Sequence, residues 1–288
     1  MPLEISLFVF KSTNFCPGKL KMEKVTVKVK SGNSPLVLGL PHVGTLLTKQ
    51  VNDSLNDRGR ILSDTDWHID RLYDGLIDDV STVSATFHRY VIDLNRDPSG
   101  RSLYPGQNTT ELVPLTDFDG NAIWSSEPST QEIQKRISEF HSDYHNALKL
   151  ELERVKSIHG FVILYDCHSI RSIIPNLFEG VLPDLNIGTN KGASCDPLIE
   201  RIVVDTVKKY ANYSNVLNGR FTGGWTTRNY GVPKKGYHAI QMELAQSAYL
   251  SDENVGWEYD DTKADLIRIT LTDILTSLAQ WKPLLGDN

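Results

Sequence analysis

The stretch STQEIQKRISEFHSDYHNALKLELERVKSIHGFVILYDCH, residues 129–168, reads as a helix followed at once by a buried strand. Ile133, Ile137, Phe140, Tyr144, Leu148, Leu152 and Val155 recur at spacings of three and four, the period of one helix face. Ser129 with Glu132 three residues on fits a capping box, and Gly160 supplies the C-terminal stop. The spacing predicts a helix over 129–159. Residues 161–167, apolar but for Asp166, then show no alternation, as in a strand covered on both faces, and the run ends at His168.

The same alternation extends outward in both directions. Upstream, residues 35–40 form a second run without alternation, ending in Pro41-His42-Val43-Gly44-Thr45. Before it, Val25, Val27 and Val29 alternate with Thr26, Lys28 and Lys30, which reads as an edge strand with its lysines outward. Residues 83–94 read as a further strand running into Asn95-Arg96-Asp97-Pro98, and 101–120 as a long loop rich in Gly, Pro, Asn and Thr. Loops of that length in compact domains are usually functional. Downstream, an irregular stretch over 176–195 precedes a helix opened by Asp196-Pro197. A strand over 237–244 and a closing amphipathic helix over 262–278 follow. Strands alternating with helices indicate the α/β class, with a mixed, mostly parallel sheet flanked by helices. No repeat or composition break divides the chain. The expectation is one domain over residues 22–288, behind an N-terminal extension over 1–21, a tail or an over-extended start.

Of the 288 residues 40% are hydrophobic and 23% charged, which removes the disordered and low-complexity classes. A net charge of -6, from 30 Lys+Arg against 36 Asp+Glu, argues against nucleic-acid or membrane-surface partners. No apolar run approaches the ~20 residues of a membrane helix. Cys16, Cys167 and Cys195 are too few and scattered for a disulfide framework or a cysteine-rich metal site, so a reducing, cytoplasmic setting is the plain reading.

The candidate site starts from two histidines. Ligands in open α/β sheets bind outside the carboxyl ends of the strands, and His42 and His168 each follow a buried strand. Either alone is explained as a strand-end cap; two at equivalent places point to a joint site. A catalytic zinc takes three ligands from His, Asp or Glu and leaves a place for water. In Asp64-Thr65-Asp66 one acid has the position of a helix N-cap and the other is left over. In the strand over 237–244, His238, Ile240, Met242 and Leu244 share one face, and Ala239, Gln241 and Glu243 the other. A carboxylate there is expensive unless it has a salt-bridge partner or serves as a general base beside a metal. Arg89, Arg96, Arg171, Arg220 and Arg228 fall in loop-like segments and fit an acidic small-molecule substrate. No Gly-x-Ser-x-Gly elbow is present, and Cys167 would face away from His168.

Pro41-His42-Val43-Gly44-Thr45, Asp64-Thr65-Asp66-Trp67, Arg89 through Asp93-Leu94-Asn95-Arg96, and Ser102-Leu103-Tyr104-Pro105-Gly106-Gln107 together resemble the N-formylglutamate amidohydrolase family. So do Asp166-Cys167-His168-Ser169-Ile170-Arg171, residues 182–189, Asn218-Gly219-Arg220-Phe221 and Gln241-Met242-Glu243-Leu244, in order over about 35–249. The family is similar in fold to zinc carboxypeptidases and aspartoacylases. It removes formate from N-formyl-L-glutamate in histidine breakdown. The resemblance implies one zinc per chain held by His42, Asp66 and His168, Glu243 as base, and Arg89 at the oxyanion. It implies that Asn95 and Arg96, with Arg228, hold the carboxylates of a small acidic N-acyl amino acid. The related carboxypeptidases take their acidic ligand three residues after the first histidine, where this chain has Thr45, so Asp64 stays open beside Asp66. Alternatives are another N-acyl acidic amino acid as substrate, or a non-catalytic protein binding a metal or an acidic metabolite. A dinuclear ureohydrolase, raised by Asp166 before His168, lacks the further aspartate pairs it needs.

Overall fold

The structure, a computed structural model, describes residues 26–101 and 108–283. The expected N-terminal extension, Cys16 and the Ser102–Gln107 motif lie outside the described residues. In chain order the elements are β1 Val27–Lys30, β2 Leu36–Leu40, α1 Lys49–Ser54, α2 Asp57–Arg60, α3 Ile69–Tyr73 and β3 Ser81–Ala85. Then come α4 Thr130–Arg136, a π-helical turn Ile137–His141, α5 Ser142–His159, β4 Val162–Ile170, β5 Leu185–Gly188 and α6 Pro197–Val207. β6 Asn215–Leu217, α7 Trp225–Tyr230, β7 Tyr237–Ala245 and α8 Asp261–Gln280 complete the order.

Among the described residues one sheet holds seven strands in the order β1-β3-β2-β4-β7-β5-β6. The pairs β3–β2, β2–β4, β4–β7 and β5–β6 are parallel; β1–β3 and β7–β5 are antiparallel. The sheet is thus mixed and mostly parallel. The two runs without alternation became β2 and β4, every residue of which is buried, whereas β1 keeps its lysines in water at the sheet edge.

Side-chain parity divides the two layers. From β4, Val162 and Leu164 join Tyr144, Leu148, Leu152 and Val155 of α5. On the opposite face Ile163, Tyr165 and Cys167 meet Ile199 and Val203 of α6 and Ile267, Leu271 and Ile274 of α8. Each such fully buried aliphatic side chain contributes about 1.5–3 kcal/mol. The capping box of Ser129 and Glu132 forms, and Gly160 closes α5 at φ 80°, a left-handed position that favours glycine. No described helix is long and apolar enough to cross a membrane.

Three expectations change. The strand read over 83–94 ends at Ala85, because its pairing with β1 ends at Val27↔Ala85 and with β2 at Ser84. The apolar residues beyond, Tyr90, Val91, Ile92 and Leu94, belong to an irregular segment that fills the core below the sheet. β4 runs on past His168 to Ile170, so this histidine stands inside a strand. Neither Asp64 nor Asp66 caps α3; His68 occupies that place with no side-chain cap.

The turn after β2 is set by close backbone approach. A Cβ on Gly44 would lie 2.3 Å from the Thr86 carbonyl carbon and 2.5 Å from Phe87 N. Gly44→Ala is expected to force these segments apart at a cost of about 1–3 kcal/mol. A lowered denaturant midpoint with unchanged m-value would report it.

Candidate active site

The four central parallel strands deliver their carboxyl ends to one edge. His42 follows β2, while His168 sits opposite Glu243 in the β4–β7 register and Asp166 opposite Gln241. These residues share the α5-side parity, so Asp166, His168, Gln241 and Glu243 face the same way at the end of the sheet. The segment after β3 brings in Arg89, Asp93 and Asn95. Asp66 is tied in by its own backbone, whose N–H donates to His42 O at 3.1 Å.

His42, Asp66 and His168 are all buried, and ligand atoms from the three lie within 4.8 Å of one another. Both imidazoles turn Nδ1 toward Asp66 Oδ2, at 3.7 Å from His42 and 3.2 Å from His168. Each turns Nε2 toward a further buried acid: His42 to Asp93 Oδ1 at 2.9 Å, His168 to Asp166 Oδ2 at 3.1 Å. Carboxylates behind histidines in this way fix the ring orientation of metal ligands. His42 Nδ1 and Asp66 Oδ1 are buried without a hydrogen-bond partner, the condition of donor atoms built for something else. The set of two imidazoles and one carboxylate fits a divalent ion of the zinc kind.

Charge agrees with that fit. Asp66, Asp93, Asp166 and Glu243 are buried, with the buried guanidinium of Arg89 beside them. Burial pushes the Glu243 carboxyl up to about 7, against the pull of His168. Burial acts on Asp66 too, but hydrogen bonds from His168 and His42 outweigh it and hold that carboxyl well below the usual range. His168 is driven well above the ordinary histidine value, because Asp166 and Asp66 together overcome its desolvation. A site so rich in carboxylate has room for a cation.

Asp64 points elsewhere. Its Oδ2 accepts the Phe118 N–H at 3.0 Å, and burial raises its carboxyl to about 7. Arg89 donates to Asp93 Oδ2 at 2.9 Å and to Asp64 O at 3.3 Å, with Asp66 Oδ1 3.6 Å from its Nη1. Asn95 stands between layers: its Nδ2 is 3.3 Å from His168 Nε2, and its Oδ1 accepts the Thr226 N–H at 2.9 Å. Arg96 donates through Nε to Thr110 O at 2.9 Å. A narrow cleft of about 60 Å³ opens onto His42, His168, Glu243, Arg89, Asn95 and Arg96, with Phe118, Ile170, Leu177 and Phe221 as apolar walls.

Arg228 is not on that wall. It turns back to Gly223 O at 2.9 Å and Thr222 Oγ1 at 3.1 Å, and Arg220 lines the cleft instead. Arg228 lies in α7 and Arg220 in the irregular segment before it, and the sequence alone does not say which of the two faces the cleft. Asp93 and Asp166, the acids behind the histidines, do not stand out in that role from sequence. Asp166 had a usable signal, since an Asp two residues before a strand histidine shares its face.

The N-formylglutamate amidohydrolase family profile matches residues 34–250, a span that runs from before His42 to beyond Glu243. The chain belongs to the N-formylglutamate amidohydrolase family. Among relatives of this family, an N-formylglutamate deformylase of Pseudomonas aeruginosa is 44% identical over 88% of this chain and 95% of its own. One from Pseudomonas putida is 42% identical over 90% of this chain and 97% of its own. The crystal structure of an N-formylglutamate amidohydrolase from Ralstonia eutropha JMP134 has the same fold, with a TM-score of 0.72 at 23% identity over 88% of this chain and 97% of that one.

Proposed function

We propose that the protein is a zinc-dependent hydrolase that cleaves the formyl amide of N-formyl-L-glutamate to formate and L-glutamate. The observation that carries this reading is the convergence of His42, Asp66 and His168 beside Glu243 on one cleft, in a chain 44% identical to a deformylase. On this reading it serves histidine degradation in the cytoplasm, where the buried free thiols Cys167 and Cys195 stay reduced.

His42, Asp66 and His168 would hold the ion, with Asp93 and Asp166 orienting the two rings. When bound, zinc supplies Lewis acidity, bringing the pKa of a water toward 7 and polarising a carbonyl oxygen. Glu243 takes the proton of the attacking water. It returns that proton to the amide nitrogen as the C–N bond breaks, so glutamate leaves as the amine and formate keeps the water's oxygen. Burial raises the Glu243 carboxyl above its ordinary value, the direction that suits a group that both takes and returns a proton. Arg89 offers fixed positive charge to the oxygen that becomes negative in the tetrahedral state. Asn95 and Arg96 take one substrate carboxylate and Arg220 the other, which sets the amide in place. Phe118 and Phe221 narrow the cleft.

Formate release from N-formyl-L-glutamate, run beside N-acetyl-L-glutamate, tests the reading. Turnover of the formyl substrate alone is expected, and turnover of neither would remove the substrate assignment. Arg220→Ala is expected to raise KM for N-formyl-L-glutamate by about 10–100-fold, the value of a lost charged hydrogen bond. N-formyl-L-glutamine should feel it far less. Arg228→Ala is expected to leave KM within about twofold, since Arg228 does not line the cleft. Steady-state kinetics on both substrates distinguishes the two arginines.

A further inference from the structure

The residues just before α5 and in its first turn carry two buried histidines that no step above uses. His141 closes the π-helical turn Ile137–His141, and His145 lies four residues on, the spacing of one helix face. Neither lines the cleft. His145 Nε2 is 2.9 Å from Leu94 O, and His141 Nε2 is 3.1 Å from Arg96 O. A carbonyl oxygen only accepts, so both Nε2 atoms carry the proton. The two carbonyls stand on either side of Asn95. A π-helical turn shifts the phase of the side chains that follow, and such turns recur at functional sites.

The rings themselves are held from behind. His145 Nδ1 lies 3.1 Å from the Tyr230 hydroxyl, and its ring meets Trp225 edge-on at 4.6 Å and stacks on Tyr230 at 5.8 Å. His141 packs on Trp225 at 5.3 Å and on His145 at 4.4 Å. Trp225 and Tyr230 come from α7, whose Thr226 N–H donates to Asn95 Oδ1. Just before α7, Gly224 N–H donates to Gln241 Oε1 at 2.8 Å, and Gln241 Nε2 in turn donates to Glu243 Oε2 at 3.1 Å. One aromatic block thus fixes Asn95 from its backbone and from its side chain. Burial lowers the pKa of both histidines and keeps them neutral donors.

We infer that His141 and His145 are positioning residues for the substrate clamp: their Nε2–H groups pin the carbonyls of Leu94 and Arg96 and so aim Asn95 and Arg96. The inference rests on the reading above that Asn95 and Arg96 hold a substrate carboxylate. A clamp displaced by about 1 Å loses on the order of 10²-fold in efficiency.

The test is steady-state kinetics on zinc-loaded His141→Leu and His145→Leu, with Gln at each position, and with Asn95→Ala alone and combined with His145→Leu. Each Leu variant is expected to raise KM for N-formyl-L-glutamate by about 10–100-fold with a smaller change in kcat, and Gln, whose amide N–H can reach the same carbonyl, to recover most of it. On the Asn95→Ala background, adding His145→Leu should raise KM by less than a further twofold or about that, as coupled residues do. A KM within about twofold of wild type in the Leu variants would overturn the inference, as would full additivity in the double variant. Unchanged KM in Asn95→Ala alone would instead remove the clamp reading, and this inference with it. If the Leu variants do not fold, Tyr230→Phe, which takes away the hydroxyl on His145 Nδ1, is expected to raise KM severalfold, and an unchanged KM there would overturn the inference.

Discussion

Glu243→Gln is expected to lower kcat for N-formyl-L-glutamate by on the order of 10²–10⁴, the usual worth of a positioned acid–base group, with zinc still bound. Geometry points to this residue before electrostatics does. Parity on β7 turns Gln241 and Glu243 to the site and Met242 and Leu244 to the core, and the register with β4 sets Glu243 opposite His168. Gln keeps the volume and the packing but cannot accept a proton and return it. The Gln241 side chain, which donates to Glu243 Oε2 at 3.1 Å, can still bond to the amide oxygen. Circular dichroism and metal content should therefore match wild type, and only single-turnover formate release should fall. Retained turnover would assign the base elsewhere.

Asp66→Ala is expected to reduce zinc affinity by more than about 100-fold, beyond the 10–100-fold typical of losing an outer-shell partner, and to abolish turnover at stoichiometric metal. Asp66 Oδ2 is the atom that both Nδ1 atoms face, and it also accepts the Ser169 N–H at 3.2 Å. Asp64 does not replace it, because its carboxylate is turned to the Phe118 backbone. Asp64→Asn, whose amide oxygen accepts the same N–H, is expected to bind zinc as wild type does. Metal titration of the two variants side by side measures the difference. Loss of zinc from Asp64→Asn alone would exchange their roles.

Much of this is legible in the sequence, and for physical reasons. The cap at Ser129 and Glu132, the stop at Gly160 and the two-sided strands are local patterns that tertiary structure had no cause to override. His42, His168 and Glu243 stand out because polar groups interrupt apolar runs at places where burial is expensive. What is not legible depends on partners. The apolar content of 87–94 cannot tell a strand from a buried irregular segment, and only the end of the β1 and β2 pairing decides it. Asp64 and Asp66 have the same chemistry two residues apart, and only their partners separate them: Asp66 N–H bonds to His42 O, while Asp64 Oδ2 takes the Phe118 N–H. The acids behind the histidines and the inward arginine require knowing which atoms face which.

The most direct test of the account is one protein sample followed through chelation and reconstitution, with bound metal and formate release from N-formyl-L-glutamate read together. One zinc per chain, turnover lost as zinc is removed and restored as it is added back, is the predicted result. Turnover that persists undiminished after the metal has gone would contradict it.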